Sequence, residues 1–98
     1  MRPSDSQQQV RFELGSQLRR AAYSVAANIV EGVARRAAAQ QLHFLNIAES
    51  SLAETAYCVH VARRLGYISQ AEFVELDMEV QRVFAPLSGL LRRTKETG

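Results

Sequence analysis

The residues able to do chemistry in this 98-residue chain are few: one cysteine, two histidines, ten carboxylates and twelve cations. Nucleophilic catalysis needs a Cys or Ser beside a positioned His. Cys58 and His60 stand two apart in a helical stretch, so their side chains point about 200° apart and cannot pair. On an apolar stripe, Cys58 reads as a small core residue, and with no second cysteine it forms no internal disulfide. His43 and His60 fall on different faces of one helix, and neither a Glu-x-x-His nor a His-Glu-x-x-His spacing occurs. Gly15, Gly32, Gly66, Gly89 and Gly98 are scattered and make no phosphate cradle. Glu72, Glu75 and Glu79 share a helical face, solvated in the simplest account, with Arg82 three residues past Glu79 as a partner. The expectation is no enzyme, no catalytic residue, no metal and no cofactor.

Two polar patterns ask for more. Gln17, Ser24, Asn28 and Glu31 recur at spacings of seven, four and three, along one side of a helix beside its apolar stripe. Glu54 falls between Ser51 and Cys58 in an apolar stripe of the next helix, and a buried carboxylate needs a partner such as Arg19 or Arg20. Gln17, Arg19, Arg20, Ser24, Asn28, Glu31 and Glu54 are therefore expected either to form a polar network that fixes helix register or an oligomer interface, or to line a solvated face. The arginines are the second pattern. They form doublets at 19–20, 35–36, 63–64 and 92–93. Three doublets sit at expected helix C-termini, where cations complement the dipole by about 0.3–1 kcal/mol. The same positions suit phosphate contacts.

The elements that must position these groups are helical. Two Pro and five Gly are too few for an all-β chain of many turns, and Ala is abundant. An apolar share of 47% with 22% charge excludes wholesale disorder. No apolar run approaches the roughly 18 residues of a membrane span, and MRPSDSQQQV has no apolar signal-peptide core. The chain reads as cytoplasmic, with no membrane partner. Its net charge of +2 is unevenly spread: residues 67–91 hold one cation against four anions, and the remainder is basic.

Helical periodicity predicts helices over roughly 12–33, 38–65 and 70–93. Leu18, Val25, Ile29, Leu45, Leu52, Val59, Val80 and Leu87 are the expected buried residues. Gly32 is expected to stop the first helix and Gly66 the second. Ser69-Gln70-Ala71-Glu72 reads as a capping box, and Pro86 predicts a kink or break near 82–86. The second helix carries apolar residues on two faces, so it packs on two sides. The fold expected is all-α, an up-and-down antiparallel bundle of three long helices over 12–95. Residues 1–11 are expected to be disordered or a vestigial helix. Part of the apolar surface would then stay uncovered, which predicts self-association.

The segment SQLRRAAYSVAANIVEG (16–32) resembles the signature of the 23S ribosomal RNA intervening-sequence protein family, Q-x-R-R-A-x-x-S-x-x-x-N-I-x-E-G. Gln17, Arg19, Arg20, Ala21, Ser24, Asn28, Ile29, Glu31 and Gly32 match it. Phe44, Leu45, Ile47, Ala48, Ser51, Leu52 and Glu54 are similar to the family's F-L-x-I-A-x-x-S-L-x-E, and ARRLGYIS (62–69) to its closing turn. Ala26 stands where the family often has Pro, Ser50 where it often has Gly, and Ala37 where a Ser or Thr usually caps the second helix. The resemblance spans about 12–92 and lacks most of the family's first helix. It implies a non-enzymatic four-helix-bundle protein of the cytosol that assembles as a homopentamer. A related bundle, the accessory variability protein of diversity-generating retroelements, implies contact with RNA or DNA and with reverse transcriptase.

The function expected is thus an oligomeric helical module holding RNA or DNA by backbone charge. Arg35, Arg36, Arg92, Arg93 and Lys95 are the expected nucleic-acid-binding residues, because the first and third helices would end at one pole. The competing expectation is a structural or protein-interaction scaffold with no nucleic-acid affinity.

Overall fold

A computed structural model describes residues 5–97. Three helices, α1 (Asp5–Ala34), α2 (Ala38–Arg64) and α3 (Gln70–Thr97), run up, down and up. No strand occurs among the described residues. Both α1 and α3 pack on α2, and neither packs on the other. That is why α2 needs two apolar faces: it is the shared middle element.

The first helix starts seven residues earlier than its periodicity indicates. Residues 5–11 form the opening turns of α1 rather than a separate disordered or vestigial segment; residues 1–4 lie outside the described residues. Those turns carry little apolar signal, since Val10 and Phe12 are exposed. Helix-forming glutamines continue the coil there, and the Gln9 amide donates to Glu13 one turn on (3.2 Å).

Gly32 does not stop α1, which continues to Ala34. It is buried instead at the crossing with α2. A Cβ there would meet Leu45 Cγ and Cδ2 at 3.1 Å and Phe44 Cβ at 3.3 Å. Its missing side chain sets how closely α1 approaches α2. Gly66 does act as a stop, at φ 77°. Its N–H donates to Arg63 O (3.1 Å), and the Tyr67 N–H donates to Ala62 O (2.9 Å), the paired bonds of a Schellman motif.

The capping box at the start of α3 forms as expected. Ser69 N–H donates to Glu72 Oε1 (2.8 Å), and Glu72 N–H donates to Ser69 Oγ (3.1 Å). Pro86 does not break α3, which is continuous to Thr97. Both Pro86 and Arg82, whose carbonyl loses its helical donor, are exposed residues, so the missing bond falls on the outer side of the helix and not in the core.

Val25, Leu45, Ala48, Leu52, Val80, Leu87 and Leu91 form the core, with Leu45 only 1% exposed. Val59 is buried as well. Leu18 and Ile29, expected in the core, are only half-buried. The reason is the missing α1–α3 contact. Each lines an open apolar groove of about 550 Å³ between those helices, floored by Leu52, Thr55 and Val59 of α2.

Candidate functional site

The α1–α2 turn is a fixed structure. Arg35 donates to Glu31 Oε2 at 2.8 Å, and its guanidinium lies 4.9 Å from the Phe44 ring centroid. Gln41 Nε2 donates to Arg35 O at 2.6 Å. Ala37 stands at the N-cap of α2 and supplies no side-chain cap. The first N–H groups of α2 therefore keep their partial positive charge, beside Arg35 and Arg36. Since α1 and α3 both run antiparallel to α2, Arg92, Arg93 and Lys95 near the end of α3 belong to this same end of the molecule. All five cations are exposed. Among the described residues only Arg35 of the five has an acidic partner.

A second polar zone lies between α1 and α2, with Ser24, Asn28 and Ser51 on the side away from the apolar groove and Thr55 between the two. Ser24 Oγ and Ser51 Oγ share a hydrogen bond of 2.8 Å across the two helices. Asn28 Nδ2 donates to Ser24 O (2.8 Å) and to Ser24 Oγ (3.2 Å). Thr55 Oγ1 donates to Ser51 O (2.9 Å). Gln17, Arg20 and Glu54 line, together with Ser24 and Ser51 of this cluster, a shallow groove of about 270 Å³.

Residues 4–89 match the family described as 23S rRNA-intervening sequence protein. The chain belongs to this family. Among curated proteins no match is found. Of the sixteen positions of α1 and α2 that carry the resemblance, six lie in the polar zone just described: Gln17, Arg20, Ser24 and Asn28 from α1, Ser51 and Glu54 from α2.

The polar network of this intervening-sequence protein is smaller than its sequence suggests. Ser24 and Asn28 take part, with Ser51 and Thr55. Gln17, Arg19, Arg20, Glu31 and Glu54 are exposed. Glu54 is not buried because it is rotated about 60° around the α2 axis from Ser51, past the edge of the α1 contact. No ion pair joins it to Arg19 or Arg20 among the described residues. Arg19 stands on the other side of α1, on the rim of the apolar groove. Glu31 is taken by Arg35. Thr55 carries no polar signal in the sequence, because its neighbours suggest a plain apolar position; its hydroxyl is satisfied one turn back.

Cys58 is buried, and burial, followed by the charge of Glu54, pushes its thiol up from the ordinary value. A thiol held protonated is a poor nucleophile. His43 packs edge-on against Phe44 and His60 against Phe73, at centroid distances of 5.1 and 4.9 Å. No cluster of three His, Cys, Asp or Glu side chains able to hold a metal occurs among the described residues. No described helix is long and apolar enough to cross a membrane.

Proposed function

We propose that this member of the 23S rRNA-intervening sequence protein family is a non-enzymatic, homo-oligomeric helical module that holds RNA or DNA by its sugar–phosphate backbone. The observation that carries this reading is the segregation of charge along the bundle. One pole combines Arg35, Arg36, Arg92, Arg93, Lys95 and an uncapped helix N-terminus, against Glu31 and Glu96. Glu72, Glu75, Asp77 and Glu79 cluster toward the other, where Arg11, Arg63 and Arg64 offset them only in part. Phosphates are attracted to such a pole without any base being read, because arginine forks and free N–H groups both match anionic oxygens. No set of stacking aromatics accompanies the cations, so recognition is of charge rather than sequence.

The decisive experiment is the salt dependence of binding to a generic RNA. Phosphate contacts make log K fall linearly with log salt, and replacing the five cations with Ala should flatten that slope by about 0.7–0.9 per lost contact. Arg35, already committed to Glu31 and Phe44, should contribute least. Absence of RNA binding, or a slope indifferent to all five substitutions, would transfer the protein to the scaffold reading.

A further inference from the structure

We infer that the basic pole grips a double helix of nucleic acid, meeting the phosphates of both strands from two ridges of cations set on either side of α2. The inference rests on the proposed nucleic-acid reading and narrows it, from any charged backbone to one with two rows of phosphates.

Helix faces decide where the cations stand. Glu31 follows Ser24 by seven residues, about two turns, and so shares its side of α1, away from the apolar groove. Arg35 is bonded to Glu31 there, and Arg36 follows it in the exposed turn. On α3, Arg92 stands nine residues after the groove-lining Val83, about 180° round the helix from it. Lys95 lies about 60° from Arg92 on the same side. Both are exposed, and Glu96, one turn after Arg92, makes no ion pair with it among the described residues. Arg93 differs. A terminal nitrogen lies 3.4 Å from where a Cβ on Gly89 would stand, so its side chain turns back along α3. It adds charge to the pole but belongs to neither ridge. Arg35 and Arg36 make one ridge, Arg92 and Lys95 the other.

The start of α2 lies between the ridges. The three helices form a flattened layer, 21 Å wide and 14 Å thick in Cα positions across a 55 Å length. With a Cα radius of about 2.3 Å at each edge, the axes of the outer helices α1 and α3 stand at most about 16 Å apart. A double helix presents a matching outline. Two rows of phosphates border a groove that is about 12 Å wide on the major-groove side of B-form DNA, and wide and shallow on the minor-groove side of A-form RNA. Long cationic side chains on two such ridges reach both rows. The uncapped amides at the head of α2 add partial positive charge between them.

A single strand suits the pole less well. It has one row of phosphates, which lies along one ridge; reaching the other means bending across α2, at a cost in ordering. Stacking of bases on exposed aromatic rings is what usually offsets that cost. The rings at this pole are already engaged. Phe44 lies under the Arg35 guanidinium at 4.9 Å, and His43 stands edge-on to Phe44 at 5.1 Å. The exposed Phe12, Tyr23 and Tyr57 are about 16 Å or more down the bundle from the α1–α2 turn.

Fluorescence anisotropy with the full chain tests this, comparing an RNA duplex with one of its own strands, of a sequence that does not pair with itself. The duplex should bind at least about tenfold tighter, and its log K should fall with log salt at least about twice as steeply, since four phosphate contacts replace two. Arg35→Ala with Arg36→Ala, or Arg92→Ala with Lys95→Ala, should each weaken duplex binding about tenfold. Neither pair should weaken single-strand binding more than about threefold, because one strand can shift to the remaining ridge. If loss of Arg35 loosens the turn, seen as lost helix by circular dichroism, Arg36→Glu alone should reproduce the effect on the duplex. A single strand held as tightly as the duplex, equal salt slopes, or a duplex indifferent to either pair overturns the two-row grip and leaves the pole as a plain backbone-binding site. Absence of binding to both nucleic acids overturns the proposed function and this inference together.

Discussion

Gly32 shows how one residue's size can set the spacing of two helices. Its φ is ordinary, so no backbone demand explains a glycine inside α1; the 3.1 Å approach of Leu45 does. Gly32→Leu should cost about 1–3 kcal/mol in urea denaturation, because the α1–α2 contact must open to admit the side chain. Gly89→Ala supplies the contrast. There a new Cβ meets only the mobile guanidinium end of Arg93 at 3.4 Å, and the substitution should stabilise by about 0.5–1 kcal/mol through helix propensity. From sequence alone both are glycines near helix ends, and nothing local separates a tight crossing from open space. The polar cluster divides the same way. Ser24 and Asn28 could be read from their spacing beside an apolar stripe. Glu54 could not be placed, because an edge position on a helix packed on two sides differs from a core position by only about 60° of rotation.

Among the elements, the joints were the most readable parts. Gly66 and the Ser69–Glu72 box specify both ends of the α2–α3 turn through local chemistry, and local chemistry is what a single sequence contains. The Ser69 backbone N–H, and next its hydroxyl, hold the Glu72 carboxyl below the ordinary glutamate range. A carboxyl lowered by folding stabilises the helix start above its unfolded pKa, and this support is lost as pH falls through the lower, folded value. Carbon-13 carboxyl titration should therefore find Glu72 below the ordinary range, and Ser69→Ala should move it upward. Amide exchange in the first turn of α3 should quicken in that variant at neutral pH. The opposite outcome, an unshifted Glu72, would mean that the box is not formed in solution. The start of α1 was less readable, because residues 5–11 contribute helix propensity without a buried face. Pro86 likewise signals a break only where its surroundings are dry.

At the scale of the whole molecule, an all-α up-and-down bundle follows from three periodic stretches and two short turns. Which helices touch does not. Periodicity says that α2 has two apolar faces and cannot say that α1 and α3 stay apart; that depends on the angle between those faces, expressed in residues as far separated as Val25 and Val80. The five-cation pole follows from helix order, so its arginines could be nominated before any coordinates. The acidic side of α3 and the basic pole lie at different places along the bundle. RNA binding and self-association are consequently separable, and the five alanine substitutions should leave the sedimenting species unchanged while flattening the salt slope.

The absence of α1–α3 packing also bears on how the chain reaches its structure. Among the described residues the helix–helix contacts join only helices that are neighbours in sequence, so contact order is low and loop-closure entropy small. The two helical hairpins share α2 and should form within microseconds to milliseconds, in a phase whose rate ignores protein concentration. Core truncations in α2, such as Leu45→Ala, should slow that phase, whereas truncations in α3 alone should mainly speed unfolding. Docking of a second chain would follow as a separate bimolecular step, visible in stopped-flow refolding as a phase that accelerates with concentration. A single phase proportional to concentration from the start would instead mean that the hairpins have no independent lifetime, and that association is the folding nucleus.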